Sequence, residues 1–402
     1  MNVDQQLTVI ERGMVALTER NELREKLARG TPLRVKLGVD PTAADLHLGF
    51  TVVLRKLRQF QDLGHQAVLI IGSYTAQVGD PSGRDKTRPQ LTEAQVLANA
   101  EQYLTQACRI LDRARLEVRY NGEWFSRMGF MDVIRLLAKT TVARTLERED
   151  FAQRMQAGTA IHLHELIYPL MQGYDSVMIN ADVELGGNDQ TFNLMVGRDL
   201  QRDAGQAAQV CLTMPLLEGL DGVRKMSKSY GNYVGIADPP HDMFGKLMSL
   251  GDALMWKYFE LLTDVPLEQV HAWQAGVKAG TQHPMEIKKT LAGTIVAQYH
   301  GAAAATAARA EFERVFSQHA LPEEMPDYTL SEAGAELDLV KVMLAAKLAP
   351  SASEARRLIQ QGAVSIDETK VSALRVPLPA AASFVLRAGK RRFLRVTRAF
   401  DI

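Results

Sequence analysis

Apolar and polar positions follow two different periods along the first half of the chain. "LRVKLGV" (Leu33–Val39) is a short aliphatic run of strand length, and "QAVLIIGS" (Gln66–Ser73) is a second one that stops at a glycine. "LEVRYN" (Leu116–Asn121) is a third. Between the first two, residues Thr51 to Leu63 carry apolar side chains at helical spacing, and Gly64 suits the position just past a helix end. A polar helix is expected from about Thr92 to Leu111, with Thr92 as its N-cap. Strands alternating with helices predict an α/β fold, a parallel sheet wrapped by helices. In such sheets ligands sit beyond the carboxyl ends of the strands, near the point where strand order reverses. The loops after Val39 and Ser73 are therefore the first places to search for chemistry.

From about Pro239 to Phe316 the strand period disappears. The runs are helical, and "GAAAATAARAEFERVF" is rich in the strongest helix former. "LPEEMPDY" then reads as a linker with two prolines and an acidic pair. Residues Asp338 to Ile402 read as a small α+β unit, two short helices followed by strands around "AVSID" and "KRRFLRV". No fixed-period repeat runs through the chain.

Composition narrows this picture. The 402 residues are enough for two or three domains, and 46% hydrophobic with 23% charged residues are ordinary globular values. No apolar run is long enough for a membrane span, and the start, "MNVDQQLTVIERG", lacks a signal-peptide core. The two cysteines, Cys108 and Cys211, are far apart and lack metal spacing, so a reducing, cytoplasmic compartment is expected and no metal site. Formal net charge is zero, so a polyanionic partner has to be met by a local basic surface. The last segment offers one: Arg387, Lys390, Arg391, Arg392, Arg395 and Arg398 occur with no acid among them.

Two stretches carry candidate chemistry. In "DPTAADLHLGF" (Asp40–Phe50) a strand ends at Gly38-Val39, and Pro41 with Thr42 shapes the turn. Gly38 permits close approach of a ligand to the backbone. His47 lies at a helix start, where amides and the helix dipole favour phosphate, and Gly49 leaves room for a flat group. A satisfied surface histidine beside a turn is the plain alternative. In "RKMSKSYGN" (Arg224–Asn232), Lys225 and Lys228 flank Ser227. Two ammonium groups on such a loop can fold over a triphosphate and stabilise charge as pyrophosphate leaves.

Taken together, "HLGF" and "KMSKS" resemble the two signatures of class I aminoacyl-tRNA synthetases, and the chain is most similar to the bacterial tyrosyl-tRNA synthetase family. "HLGF" matches the family's His-Ile-Gly-His in three places if leucine stands for isoleucine. The resemblance runs from about Leu33 to the C-terminus. It implies a Rossmann-like catalytic domain over 1–232, an α-helical anticodon-binding domain over 233–325 and an S-four-type RNA-binding domain over 335–402. It implies activation of tyrosine by ATP with Mg2+, transfer to tRNA(Tyr), no tightly bound cofactor, and a homodimer with the apolar helix Met131–Leu146 near its interface. His47, Thr42, Lys225 and Lys228 would be catalytic. Gly38, Asp40, Gly49, Gly187, Asp189 and Ser227 would meet ATP, with Arg84 and Arg88 of "GDPSGRDKTR" on pyrophosphate.

The substrate side rests on "YPLMQGYD", where Tyr168, Gln172 and Asp175 recur at i, i+4 and i+7 and share a helix face. Phenol, carboxamide and carboxylate together are odd for a core and sensible for a pocket, although a half-exposed polar face has the same spacing. By resemblance Tyr168 and Gln172 hold the α-amino group and Asp175 accepts the phenolic hydrogen. Thr75, Asp80, Asn121 and Gln190 fall at further tyrosine contacts. Lys36 stands where many relatives have a tyrosine that also touches the substrate hydroxyl. Phe50 stands where the signature has a histidine, which removes one hydrogen-bond donor. Arg356, Arg357, Lys390, Arg391 and Arg392 would face tRNA phosphates. Two rival readings remain at this point: a tryptophanyl-tRNA synthetase, which Gln172 opposes, and a catalytically silent RNA-binding paralogue, which Phe50 alone supports.

Overall fold

The computed structural model describes residues 1–42, 45–82, 91–317, 325–330, 336–367, 369–379, 381–389 and 392–399. The chain divides into two compact units, Met1–Ala305 and Thr306–Ile402. The first contains a six-stranded sheet of β1 (Ala16–Leu17), β2 (Arg34–Val39), β3 (Gln66–Ile71), β4 (Leu116–Tyr120), β5 (Val183–Gly187) and β6 (Val210–Met214). Their spatial order is β1-β6-β5-β2-β3-β4, and all are parallel except β1, which runs antiparallel to β6. Order reverses between β2 and β5, so the ends of these two strands define the crevice.

The helices of this unit are α1 (Val3–Glu11), α2 (Arg20–Ala28), α3 (Leu48–Asp62), α4 (Thr75–Val78), α5 (Glu93–Ala107), α6 (Gly122–Phe125), α7 (Phe130–Leu137), α8 (Val142–Leu146), α9 (Glu149–Gln156), α10 (Leu163–Met178) and α11 (Thr191–Asp203). A helical stretch follows, with α12 (Pro240–Met248), α13 (Met255–Leu262), α14 (Leu267–Lys278), α15 (Pro284–His300) and α16 (Ala302–Ser317). No helix among the described residues is long and apolar enough to cross a membrane.

The expected periods map onto these elements for physical reasons. In β3, Ala67 to Ile71 are all buried, as a central parallel strand covered on both faces requires. Helix α3 turns Leu48, Val52, Leu54, Leu57 and Phe60 inward, and Gly64, at φ +91°, follows its C-cap. Helix α5 opens with a reciprocal cap between Thr92 and Gln95. The single helix expected over Met131–Leu146 is instead two, because the Thr141 hydroxyl accepts from the Arg144 amide and starts α8 afresh. Phe130, Met131, Ile134 and Val142 stay exposed there.

Two basic side chains link α3 to α1 and α1 to α13. Lys56 of α3 is buried and donates to the carbonyls of Val9, Ile10 and Arg12 at 3.1, 2.8 and 2.9 Å, closing the C-terminal end of α1. Arg12 in turn donates to the carbonyls of Glu260, Thr263 and Val265 at the end of α13.

The second unit has β7 (Asp327–Leu330), β8 (Glu336–Asp338), α17 (Leu339–Ala345), α18 (Ala352–Gln360), β9 (Val364–Ile366), β10 (Thr369–Val371), β11 (Arg375–Pro377), β12 (Ser383–Ala388) and β13 (Arg392–Arg398). Its sheet order is β10-β9-β12-β13-β7, and β8 pairs with β11. Leu339, Met343, Ile359, Leu386, Leu394 and Val396 form its core. Strand β7 begins inside the stretch that reads as a linker, where it runs parallel to β13. A short edge strand carries too little periodicity to show beside a proline.

Candidate active site

Two polar chains meet above the carboxyl ends of β2, β3 and β5. The first starts at Asp40, just past β2. Its Oδ1 accepts from the Thr75 hydroxyl at 2.7 Å and its Oδ2 from the Tyr168 hydroxyl at 2.8 Å. Gly72 makes this possible: a Cβ there would lie 2.0 Å from Asp40 Oδ1. Fully buried Asn121 donates to Thr75 Oγ1 at 3.0 Å and to Asp175 Oδ2 at 3.4 Å, while its own oxygen accepts from the Tyr74 amide. The Trp124 indole N–H donates to Asp175 Oδ1 at 3.0 Å. Burial pushes the Asp175 carboxyl up to about 7, against the Lys36 charge and the Trp124 and Asn121 hydrogen bonds, which favour the anion.

The second chain runs along the other wall. Asp80 accepts from Gln190 at 3.0 Å, Asn193 donates to both Gln190 and Gln172 at 3.0 Å, and Gln172 donates to Glu184 at 3.2 Å. Buried Arg148 braces it, donating to Asn193 Oδ1 and Ser82 Oγ and pairing with Asp150. Tyr168, Gln172 and Asp175 thus lie on α10, with Tyr168 and Asp175 in the first chain and Gln172 in the second. Trp124 belongs to the first chain, and Asn193, Arg148 and Glu184 to the second, although nothing in their local sequence marks them.

Lys36, counted from the sequence with the tyrosine contacts, is held by protein. Its Nζ donates to Gln172 O and Ser176 Oγ, both at 2.7 Å, and pairs with Glu184 at 2.9 Å, with no part of it exposed. An ammonium has three hydrogens, and all three are taken by protein.

The two signature stretches touch each other. Leu48 N donates to Val234 O and Ile236 N to Leu46 O, so the start of α3 is stitched to the segment just after "KMSKS". Met226 N donates to Leu217 O, and the Asn232 side chain accepts from Ser227 N, holding the lysine loop at its base. Lys228 pairs with Asp45 at 2.8 Å. His47 caps α3: its Nδ1 accepts from the Gly49 amide at 3.2 Å. Burial, helped by the Lys228 charge, depresses His47 to about 4. The ring is therefore neutral at pH 7 with its proton on Nε2, a donor without permanent charge. Phe50 is 45% exposed and lies 4.6 Å from the His47 ring centre.

Gly49 and Gly187, read from the sequence as room for a ligand, also make room for protein. A Cβ on Gly49 would fall 3.0 Å from the His47 ring, and one on Gly187 2.6 Å from Asp189 Oδ1. Gly38 is different, because a Cβ there would meet open space. Burial raises the Asp189 carboxyl, and the nearby Lys225 charge opposes this. Thr42 is exposed beside the turn. Arg84, Arg88, Lys390 and Arg391 lie outside the described residues. Arg356 is exposed, Arg357 pairs with Glu354, and Arg392 donates to Leu348 O.

Comparison with known proteins bears on this constellation. A family model described as tRNA synthetases class I (W and Y) matches residues 28–317, and one described as the tyrosine–tRNA ligase SYY-like C-terminal domain matches 316–396. The tyrosine–tRNA ligase of Moorella thermoacetica is 53% identical over 398 residues, covering 98% of this chain and 96% of the relative. That of Symbiobacterium thermophilum is 54% identical over 401 residues, with 98% of each covered. The chain belongs to the tyrosine–tRNA ligases of class I. Among solved structures, a tyrosyl-tRNA synthetase of Archaeoglobus fulgidus complexed with L-tyrosine has a TM-score of 0.62 at 22% identity, covering 77% of this chain and all of that one. A C-terminally truncated mitochondrial tyrosyl-tRNA synthetase of Aspergillus nidulans has a TM-score of 0.64 at 20% identity, covering 78% and 94%. At these identities they bear on the fold alone, a mixed α/β sheet domain with a helical region. The two chains of hydrogen bonds are thus the candidate substrate pocket of a tyrosine–tRNA ligase, and the tryptophan and silent-paralogue alternatives fall away.

Proposed function

We propose that this ligase activates tyrosine in the space between Asp40, Asp80, Gln190 and the Tyr168–Gln172–Asp175 face, and then passes it to tRNA(Tyr). The tyrosine carboxylate attacks the α-phosphorus of ATP, giving tyrosyl-adenylate and pyrophosphate. Asp175 accepts the phenolic hydrogen. Tyr168 and Gln172, with Asp80 and Gln190, hold the α-amino group, and Thr75 and Asn121 keep Asp40 and Asp175 in place. His47 Nε2–H donates to a phosphate oxygen. Lys225 and Lys228 stabilise the charge that grows on the leaving pyrophosphate. Asp189 accepts from the ribose hydroxyls, and Gly38 lets the nucleotide approach the end of β2.

Mg2+ belongs to the substrate in this reading. No three His, Cys, Asp or Glu side chains among the described residues cluster to hold a metal. Mg2+ commonly travels on phosphate oxygens with its own waters. The second unit, with Arg356, Arg357 and the basic β13, serves tRNA binding. The exposed Phe130, Met131, Ile134 and Val142 are the face on which two copies associate as a homodimer, and the protein works in the cytoplasm.

The observation that carries the reading is a buried carboxylate, Asp175, at the meeting point of indole and carboxamide donors on the same helix as Tyr168 and Gln172. Phenylalanine would leave that group without its partner, a cost of about 1–3 kcal/mol or more. The test is pyrophosphate exchange into ATP with tyrosine, phenylalanine and tryptophan separately. Exchange with tyrosine alone is expected; equal exchange with phenylalanine would end the reading.

A further inference from the structure

We infer that Lys36 and Glu184 form a buried charge pair that positions α10 and acts on Asp175 through space, making Lys36 a positioning residue for tyrosine selection and not a contact to the substrate. This rests on the reading of Asp175 as acceptor of the phenolic hydrogen.

The pair is built into the sheet. Lys36 and Glu184 are register partners across the parallel strands β2 and β5, and neither side chain is exposed. From that place Lys36 reaches α10 at two points that bracket Asp175, the Gln172 carbonyl and the Ser176 hydroxyl. Glu184 answers at the same two residues, accepting from Gln172 Nε2 at 3.2 Å and Ser176 Oγ at 3.0 Å, and it also accepts from Gln209. Four bonds from one ion pair therefore fix the rotation of the helix that presents Tyr168, Gln172 and Asp175. A lysine donating into a bound ligand would have to abandon one of these acceptors and leave it buried without a donor.

The charges matter separately from the bonds. Trp124 and Asn121 touch Asp175 directly, and Lys36 and Glu184 act on it at longer range with opposite signs. Lys36 favours the Asp175 anion, which accepts the phenolic hydrogen, and Glu184 disfavours it. The pair thus holds the helix while its two charges act on the substrate carboxylate with opposite signs, Lys36 the more strongly.

Opposite signs give a test that simple loss of packing cannot imitate. Tyrosine KM in the exchange reaction is followed from pH 5.5 to 9 for Lys36→Gln, Glu184→Gln and the double variant of the full chain. Lys36→Gln should move the midpoint of tyrosine binding up by about one pH unit, on the order of tenfold weaker binding at pH 6 with recovery at high pH. Glu184→Gln keeps the shape of the side chain and should move the midpoint down. The double variant should lie between the two single variants. A loss that is the same at every pH, or a loss for tyrosine at every pH with the midpoint unmoved, overturns the inference. If Lys36→Gln does not fold, Glu184→Gln decides alone: a midpoint that stays still or rises refutes it. Asp175→Asn separates this from the underlying reading. If that variant still prefers tyrosine to phenylalanine, the reading of Asp175 is wrong; if the preference is gone and the other midpoints stay still, only the role of the pair is wrong.

Discussion

Lys228 and Asp45 are joined by a 2.8 Å ion pair that spans the two signature stretches of the site. The lysine that is to meet the triphosphate is thus held by a carboxylate in the turn ahead of His47. Both groups are partly in water, so the pair is worth only about 0.2–1 kcal/mol. Lys228→Ala should lower the rate of tyrosine activation much more than it weakens ATP, because charge grows only as pyrophosphate leaves. Asp45→Asn should free Lys228 and lower the KM for ATP by roughly twofold to fivefold. Steady-state exchange over a range of ATP concentrations reads both. A Lys228→Ala enzyme with an altered ATP KM and an unchanged maximal rate would contradict the role.

Asp175 should trade stability for selectivity. Burial pushes its carboxyl up to about 7, above the ordinary range. The folded protein therefore holds a proton between about pH 4 and 7 that the unfolded chain gives up, so stability falls as pH rises through that window. Asp175→Asn should raise the melting temperature of the ligand-free protein at pH 8 and leave it nearly unchanged at pH 4. The upper bound is about 4 kcal/mol. The same variant should lose most tyrosine activation. A stability gain that is constant from pH 4 to 8 would refute this.

Gly72 should tolerate no side chain. A Cβ there meets Asp40 Oδ1 at 2.0 Å and Thr75 Oγ1 at 2.3 Å, so the Asp40–Thr75 bond has to open. Gly72→Ala should cost about 1–3 kcal/mol of stability and lower activation at least about tenfold. Denaturant unfolding alongside exchange measures both; a variant with parental values would show that Asp40 is not held as described.

Phe50 is 45% exposed against the His47 ring, so a histidine there keeps access to water and is not stranded. Phe50→His should leave stability within about 0.5 kcal/mol and keep or raise the activation rate, by about tenfold at most. A marked loss of activity would mean that the phenyl ring's contact with His47 sets the capping geometry.

Removing the second unit should separate the two half-reactions. A chain ending at Ser317 keeps the whole of α16 and should still form tyrosyl-adenylate. It should lose most tRNA affinity, and the intact protein's tRNA binding should weaken as salt rises. Equal tRNA affinity with and without that unit would remove its proposed role.

The sheet was legible because β2, β3 and β4 are short aliphatic runs, and α3 and α5 carry their own stop and start signals in Gly64 and Thr92. The polar face on α10 was legible because three polar residues fell at helical spacing. What could not be read is what the register of strands decides. Glu184 lies far along the chain from Lys36 and looks like any strand glutamate until β2 and β5 are paired. Arg148, in the polar run "ERED", has the composition of a surface turn, yet it is buried under Asn193 and Ser82. Gly49 reads in the sequence as room for a flat group, and the structure adds that its missing Cβ makes room for the histidine two residues before it.

Lys56 carries a lesson for anyone trimming or tagging this chain. The three carbonyls that hold its amino group all come from the first dozen residues. Shaving that segment would leave a buried amine without its acceptors inside the very helix that His47 begins, and would also release the grip of Arg12 on α13. The amino end is a keystone: little of the chemistry touches it, and the arch that bears the chemistry leans on it.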